Sequence, residues 1–435
     1  MKAVLVVVLL AILCASALAL ETAQEDTADY WFRKSGEFLD NRSLKEADYA
    51  LDRALQLDPR NVSIWLSKSL VLELSGKGNE SWEAYSKALE LADEDLKKNP
   101  QDADALWNKG VALDALQRQS EATVAREKAV EIYNQKLSLD PQDSETWFKM
   151  AEVLVSLYRE EEAISAYMRS AELNGSQKAT ALLTAGHLLE RQGKHNESIE
   201  AFDRALQSIP ASHAREQAFV LEVKAISLED AGRREEALKA YERITELDPH
   251  NAAAWWRMAA LLKEQRRYDQ SLQAYDRVLE LQPQFMEEAR AWMGKGDILN
   301  ETGRRDDAMA AYSRTLEIED RELAANPESY IAWLDKGRIL YRMGRYEEAI
   351  SAYDSAIRLS PESMGVPEQA WFGKGEVCLK MGRYEEALEA FRQAIELYPL
   401  DFDAWRGKGE ALQAMGKRTE ADMAFEAAEK LGYQK

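Results

Sequence analysis

The amino-acid sequence predicts an all-α protein, an α-solenoid of helix-turn-helix hairpins stacked one on the next. Gly and Pro are scarce, 21 and 10 among 435 residues, which argues against disorder and against turn-rich β folds. Ala, Leu, Glu, Lys and Arg dominate instead, a helix-forming composition. A pattern also recurs: the segments opening at Ala332, Ala370 and Ala404 each read Ala-Trp, then Lys-Gly, Gly, Ala, an aromatic and Ala at fixed offsets. Each copy holds two apolar stripes at helical spacing, separated by a Gly-containing turn. One such hairpin cannot bury its own apolar faces, whereas stacked neighbours can.

The N-terminus reads as a targeting segment. Met1-Lys2 precedes an aliphatic run from Ala3 to Leu13, followed by Ala15, Ser16, Ala17, Leu18 and Ala19. A charged start, an apolar core and an A-x-A-like site describe a secretory signal over residues 1–19, cut after Ala19, with residues 20–27 as a short linker. Two other readings are an uncleaved anchor over Ala3 to Leu20 and a lipidated Cys14, though Leu13 is a poor residue directly before a lipidated cysteine. Six Asn-x-Ser/Thr acceptors, at Asn41, Asn61, Asn79, Asn174, Asn196 and Asn300, support an exported, extracytoplasmic location. They are candidate N-glycosylation sites, although Asn and Ser are also common turn residues.

From residue 28 onward the repeat resembles the tetratricopeptide repeat family. That family's unit of about 34 residues has a bulky residue at position 4, a small one at 8, Gly at 15, Ala at 20, an aromatic at 24, Ala at 27 and Pro at 32. Eleven units can be placed, starting at Ala28, Val62, Ala103, Ser144, Ala179, Ala218, Ala252, Ala289, Tyr330, Glu368 and Phe402. The resemblance implies a right-handed superhelix over residues 28–435. Trp31, Trp65, Trp147, Trp255, Trp292, Trp333, Trp371 and Trp405 at position 4 are expected in the core. Three units, those starting at Val62, Ala103 and Ala289, carry seven extra residues, about two helical turns that rotate the face by only about 20°, so their second helix should simply lengthen. Ser212 to Gln217, Met286 to Glu288 and Met364 to Pro367 read as loops between repeats.

Composition excludes several function classes. A formal net charge of −21 is unsuited to tracking a phosphate backbone, so no nucleic-acid partner is expected, and membrane contact only through an uncleaved N-terminal segment. Cys14 falls in the targeting segment, which leaves Cys378 without a disulfide partner. The four histidines, His187, His195, His213 and His250, lack zinc-protease spacing, and no nucleophile elbow or phosphate loop occurs. No catalytic residue, cofactor or metal is therefore expected, and the protein reads as a non-enzyme. Lys34, Lys68, Lys109, Lys224, Lys295, Lys336, Lys374 and Lys408 recur at position 7. They read as long stems packed at the hairpin interface, with the ammonium reaching an acidic residue or solvent.

The resemblance also implies where binding takes place. In the family, first helices line the concave face through positions 2, 5, 9, 12 and 13. Carried onto this chain, those positions give a candidate peptide groove at Phe32, Trp107, Phe148, Trp256, Met293, Leu334, Arg338, Tyr341, Arg342 and Phe372. Its apolar row is expected to be exposed, with position 5 packing against the next repeat as the competing reading. The family's clamp for a terminal carboxylate needs a Lys at position 5 with an Asn at position 9, and no unit here has that pair. The expectation is an exported scaffold binding protein or peptide segments in a concave groove. An envelope assembly or maturation factor, or a non-catalytic subunit of an enzyme such as a glycosyltransferase complex, is the alternative.

Overall fold

The computed structural model describes residues 27–432, apart from 41–42, 174, 282–284 and 361–365. The targeting segment, Asn41, Asn174 and Met364 lie outside the described residues. Among the described residues every regular element is an α-helix, and the helices follow one another in pairs. No described helix is long and apolar enough to cross a membrane. The second helices begin at Leu44, Gly78, Gln119, Glu160, His195, Arg234, Tyr268, Arg305, Tyr346, Tyr384 and Arg418. Each start lies sixteen residues beyond a unit start, from 28 to 44 through 402 to 418. Helix pairs are called repeats 1 to 11 in chain order.

The turn between paired helices depends on one backbone position. Gly76, Gly193, Gly232, Gly303, Gly344, Gly382 and Gly416 all have φ between 70° and 81°. The next residue then donates back five places, as Lys77 N does to the Leu72 carbonyl at 2.9 Å, closing a Schellman motif. In repeats 3, 4 and 7 the same position is filled by Gln117, Tyr158 and Arg266, at φ 62°, 60° and 58°. First helices are capped by short polar side chains: Asn61, Asp102, Asp143, Asn251, Ser329 and Asp401 each accept a bond from an amide two or three residues on. Second helices are instead preceded by basic residues. Arg118, Arg159, Arg233, Arg345 and Arg383 clasp the Glu three residues later, which sits at the helix's positive end.

Two expectations about the helices need correction. Residues 214–217, 286–288 and 366–367 are not loops; the first helices of repeats 6, 8 and 10 begin early, at Ala214, Phe285 and Val366. Acidic residues in the first turn, Glu216, Glu287 with Glu288, and Glu368, favour the extra turn by complementing the helix dipole. The position-4 tryptophans are half-buried rather than core. An indole N–H needs an acceptor, and it finds one at the repeat boundary six residues back. Trp65, Trp147, Trp255, Trp333 and Trp405 donate to the carbonyls of Pro59, Pro141, Pro249, Pro327 and Pro399 at 2.9–3.1 Å. The three long units do lengthen, with 21-residue second helices at Gly78–Lys98, Gln119–Leu139 and Arg305–Ala325.

The chain divides into two compact segments, one through Ala240 and one from Tyr241. In the N-terminal segment a continuous core runs from Val62 to Val220, with a smaller cluster around the first hairpin. In the C-terminal segment one cluster spans Leu334 to Ala424 and another Leu299 to Ile339. In repeats 9 and 10 the aromatic residue of the second helix fixes the spacing. Tyr353 lies between Gly337 of its own hairpin and Gly373 of the next, where an added Cβ would fall 2.7 and 2.6 Å from its side chain. Phe391 lies in the same way between Gly375 and Gly407.

Arg126 and Glu152 are among the polar side chains buried in the N-terminal segment. Arg126 takes the aromatic's position in repeat 3 and is 4% exposed. Its stem fills the space beside Gly110, its guanidinium lies 5.8 Å from the Trp107 ring centroid, and Nη2 donates to Asp114 at 3.2 Å. Glu152, in repeat 4, is 7% exposed, and its Oε1 has no hydrogen-bond partner. Burial pushes its carboxyl up to about 8, with Lys149 opposing and Asp104 adding to the shift.

Two predictions follow from these strained and buried positions. A side chain in the left-handed region costs about 1–2 kcal/mol, part of which glycine's backbone entropy offsets. Gln117→Gly, Tyr158→Gly and Arg266→Gly should each stabilise their own hairpin by about 0.5–1 kcal/mol, read as slower amide exchange there. Glu152 holds its proton in the folded state to about pH 8 but releases it near its ordinary value when unfolded. The stability its protonation contributes is thus fully present below about pH 4.5, declines as pH rises above it, and is lost once pH passes about 8. Glu152→Gln should remove that slope and stabilise the N-terminal segment by up to about 3 kcal/mol at pH 7, measured by urea unfolding across pH 5–9.

Candidate protein-binding surface

Between repeats, the position-7 lysines are held rather than free. Lys68 binds Asp52, Lys109 Asp93, Lys224 Asp203, Lys295 Asp276, Lys336 Asp320 and Lys374 Asp354, each Asp on the second helix of the preceding repeat. Asp93 and Asp320 belong to lengthened helices, seven residues later in their unit than the other four, so the added heptad leaves the pairing face in place. Lys295, Lys336, Lys374 and Lys408 also stand 4.5–5.3 Å from the ring centroid of the tryptophan three residues before them. The six paired lysines therefore bind neighbouring repeats together.

The predicted groove residues divide into two groups. Trp107, Phe148 and Leu334 are 9%, 2% and 3% exposed, so the expectation of an exposed position-5 row fails for them. They join the core because Arg126 covers the Trp107 ring and Phe148 meets Tyr167 edge-on at 5.4 Å. Phe32, Trp256, Met293, Tyr341 and Phe372 are half-buried and keep part of their surface in solvent. The Trp256 ring has the Arg290 guanidinium over it at 5.6 Å, and Phe372 packs against Phe391.

The groove cations are committed to neighbours. Arg342 bonds Asp297 at 2.6 Å, and Arg338 bonds Asp335 at 3.0 Å and Gln369 at 2.7 Å. Asp297, only 14% exposed, also receives Lys263 at 3.1 Å and the Tyr312 hydroxyl at 3.1 Å. Sequence reasoning missed this hub, because its partners come from repeats 7, 8 and 9. Burial alone would depress the Arg342 guanidinium, but the Asp297 carboxylate raises it above its ordinary value.

A second polar cluster was also missed. Glu190, His195 and Asp230 come from three helices of repeats 5 and 6, and their ligand-type atoms lie within 4.8 Å of one another. Burial alone would raise the Glu190 carboxyl, but bonds from Ser227 and His195, with the Ser198 hydroxyl facing it, hold it below the usual carboxylate range. The only signal in the sequence is that position 12 of one repeat and position 13 of the next are both acidic, with a histidine opening the helix between them. Of the described glycan acceptors, Asn79, Asn196 and Asn300 are exposed. Asn61 is half-buried and caps its helix through the Ile64 amide.

Comparison with known proteins extends this reading. Profiles of the tetratricopeptide repeat match residues 177–249, 228–293, 287–362, 328–399 and 372–432, together an unbroken stretch of more than half the 435-residue chain. No curated protein sequence matches. Among solved structures, yeast Tom70 is similar at 16% identity and a TM-score of 0.43, covering 93% of this chain and 92% of its own. A tetratricopeptide repeat protein of Parabacteroides merdae is similar at 17% identity and a TM-score of 0.49, covering 62% and 99%. The Cut9–Hcn1 hetero-tetramer of the APC/C gives 14%, 0.40, 94% and 94%. The profile matches cover most of the described repeats, whose turns, glycine notches and helix starts share one register, and the chain belongs to the tetratricopeptide repeat family.

Proposed function

We propose that this protein is an exported, non-catalytic interaction scaffold that binds an extended protein or peptide segment on the first-helix face of its C-terminal segment. The observation that carries this reading is the partial exposure of Trp256, Met293, Tyr341 and Phe372, four bulky side chains on first helices of one segment. Large amphipathic and apolar side chains left in solvent suit the anchor role that such residues play at interfaces. The neighbouring charges are paired within the fold, through Asp297, Asp335 and Gln369, so they contribute orientation and register rather than bulk attraction. Export is supported by the residue pattern of positions 1–19 and by three exposed glycan acceptors.

Replacing Trp256, Met293 and Phe372 together by Ser should leave helicity within a few per cent of wild type while abolishing capture of the native partner. Photocrosslinking from position 256 in native extract, beside circular dichroism melting, reads both effects. Capture retained by the triple variant would exclude this face. A collapsed melting transition would assign the three residues to the core instead. For export, mass spectrometry of the native protein should find a chain beginning at Leu20 outside the cytoplasm, whereas an intact Met1 in the cytosol would refute it.

A further inference from the structure

The turn end of repeat 5 faces the end of the first helix of repeat 6. There Glu190, His195 and Asp230 converge, with one imidazole nitrogen and one oxygen of each carboxylate within 4.8 Å of one another. His195 Nδ1 is 2.7 Å from Glu190 Oε1, and the Ser227 hydroxyl donates to Glu190 Oε2. Two features separate this cluster from the ion pairs along the rest of the chain. Neither carboxylate meets a Lys or Arg among the described residues; the partner of Glu190 is the His195 imidazole. The fully buried Ser198 hydroxyl faces the Glu190 carboxylate yet has no well-formed hydrogen bond. At the same repeat position Ser81 donates to the Ser69 carbonyl at 2.9 Å, and Ser271 to the Ala259 carbonyl at 2.6 Å. Ser198 is thus turned from its usual backbone acceptor toward the cluster.

We propose that Glu190, His195 and Asp230 form a binding site for a divalent transition-metal ion of the Zn2+ class. One imidazole and two carboxylates are a donor set for such an ion, and three protein ligands leave a coordination position for water or a partner's side chain. His195 opens the helix His195–Ser208, which sets its imidazole beside both carboxylates. Glu190 is held in place by Ser227, while exposed Asp230 is free to close on the ion. A bound ion would offset the repulsion of two adjacent carboxylates and tie repeat 5 to repeat 6 at the rim of the N-terminal segment.

The test uses the full chain, stripped with a chelator and titrated with Zn2+ by calorimetry at neutral pH. One saturable site is expected, with association weakened at least about tenfold by His195→Ala and by Asp230→Asn. His213→Ala, at a half-buried histidine outside the cluster in the connection before repeat 6, should bind as wild type does. Zn2+ should raise the melting temperature of the wild type and leave that of His195→Ala unmoved. The site is disproved if the stripped protein takes up no Zn2+. It is equally disproved if His195→Ala and Asp230→Asn, both folded by circular dichroism, bind Zn2+ as tightly as the wild type.

Discussion

A ring held between two glycines is the contact on which the stacking of repeats 9 to 11 depends. Tyr353 and Phe391 each lie where a Cβ on either side would overlap them. The ring therefore sets how close its own first helix comes, and how close the next one comes. A glycine notch without a ring would leave a void, and a ring without the notch would push the helices apart; both are costly in a close-packed interior. Because one ring serves two interfaces, spacing within a hairpin and spacing between hairpins are not independent. That coupling lets a short repeated pattern specify a long array one neighbour at a time.

Around this apolar contact runs a polar one that fixes register. The indole of a first helix donates to a proline carbonyl at the boundary behind it, and the lysine one turn on crosses to an aspartate of the preceding second helix. An exposed ion pair alone contributes little. Here the lysine stem lies along an indole, and the pair forms only when the two repeats are correctly rotated. Its value is in excluding wrong rotations more than in adding stability. Lys408 marks where this lattice ends: the residue corresponding to the aspartates is Arg392, and burial together with that cation lowers the lysine's proton affinity.

Much of the fold was legible because it is repeated. The second-helix starts, the left-handed turn position and the lengthened helices all follow from periodicity, glycine and a seven-residue insertion that preserves the helix face. Exposure was less legible. Adjacent bulky residues such as Leu106 and Trp107 cannot point the same way, yet both are buried, because a first helix is covered by its own second helix and by the repeats on either side. The extra turns at Ala214, Phe285 and Val366 were missed because a glycine or proline nearby outweighed the acidic first turns that favour a helix. The hub at Asp297 and the cluster at Glu190 join residues from different repeats, so no local pattern announces them.

Several departures from the pattern fall in repeats 3 to 5 of the N-terminal segment, while Arg266 and the buried Glu319 are departures in the C-terminal one. Arg126 stands where a ring belongs, Glu152 buries a carboxyl, Gln117 and Tyr158 hold a conformation suited to glycine, and Glu190 draws Ser198 from its backbone acceptor. Each costs local stability relative to the residue the pattern would supply. A nearest-neighbour array localises such costs, since a weak hairpin is supported only by the two beside it. These hairpins are therefore the ones in the segment most readily opened, and the ones whose packing responds most to protonation or to a bound cation. Repeats 8 to 11 of the C-terminal segment keep glycine at the turn and rings in their notches, and there Met293, Tyr341 and Phe372 stand on a regular support. Rigid presentation of a few anchors suits recognition of an extended segment, because little side-chain freedom remains to be lost on binding.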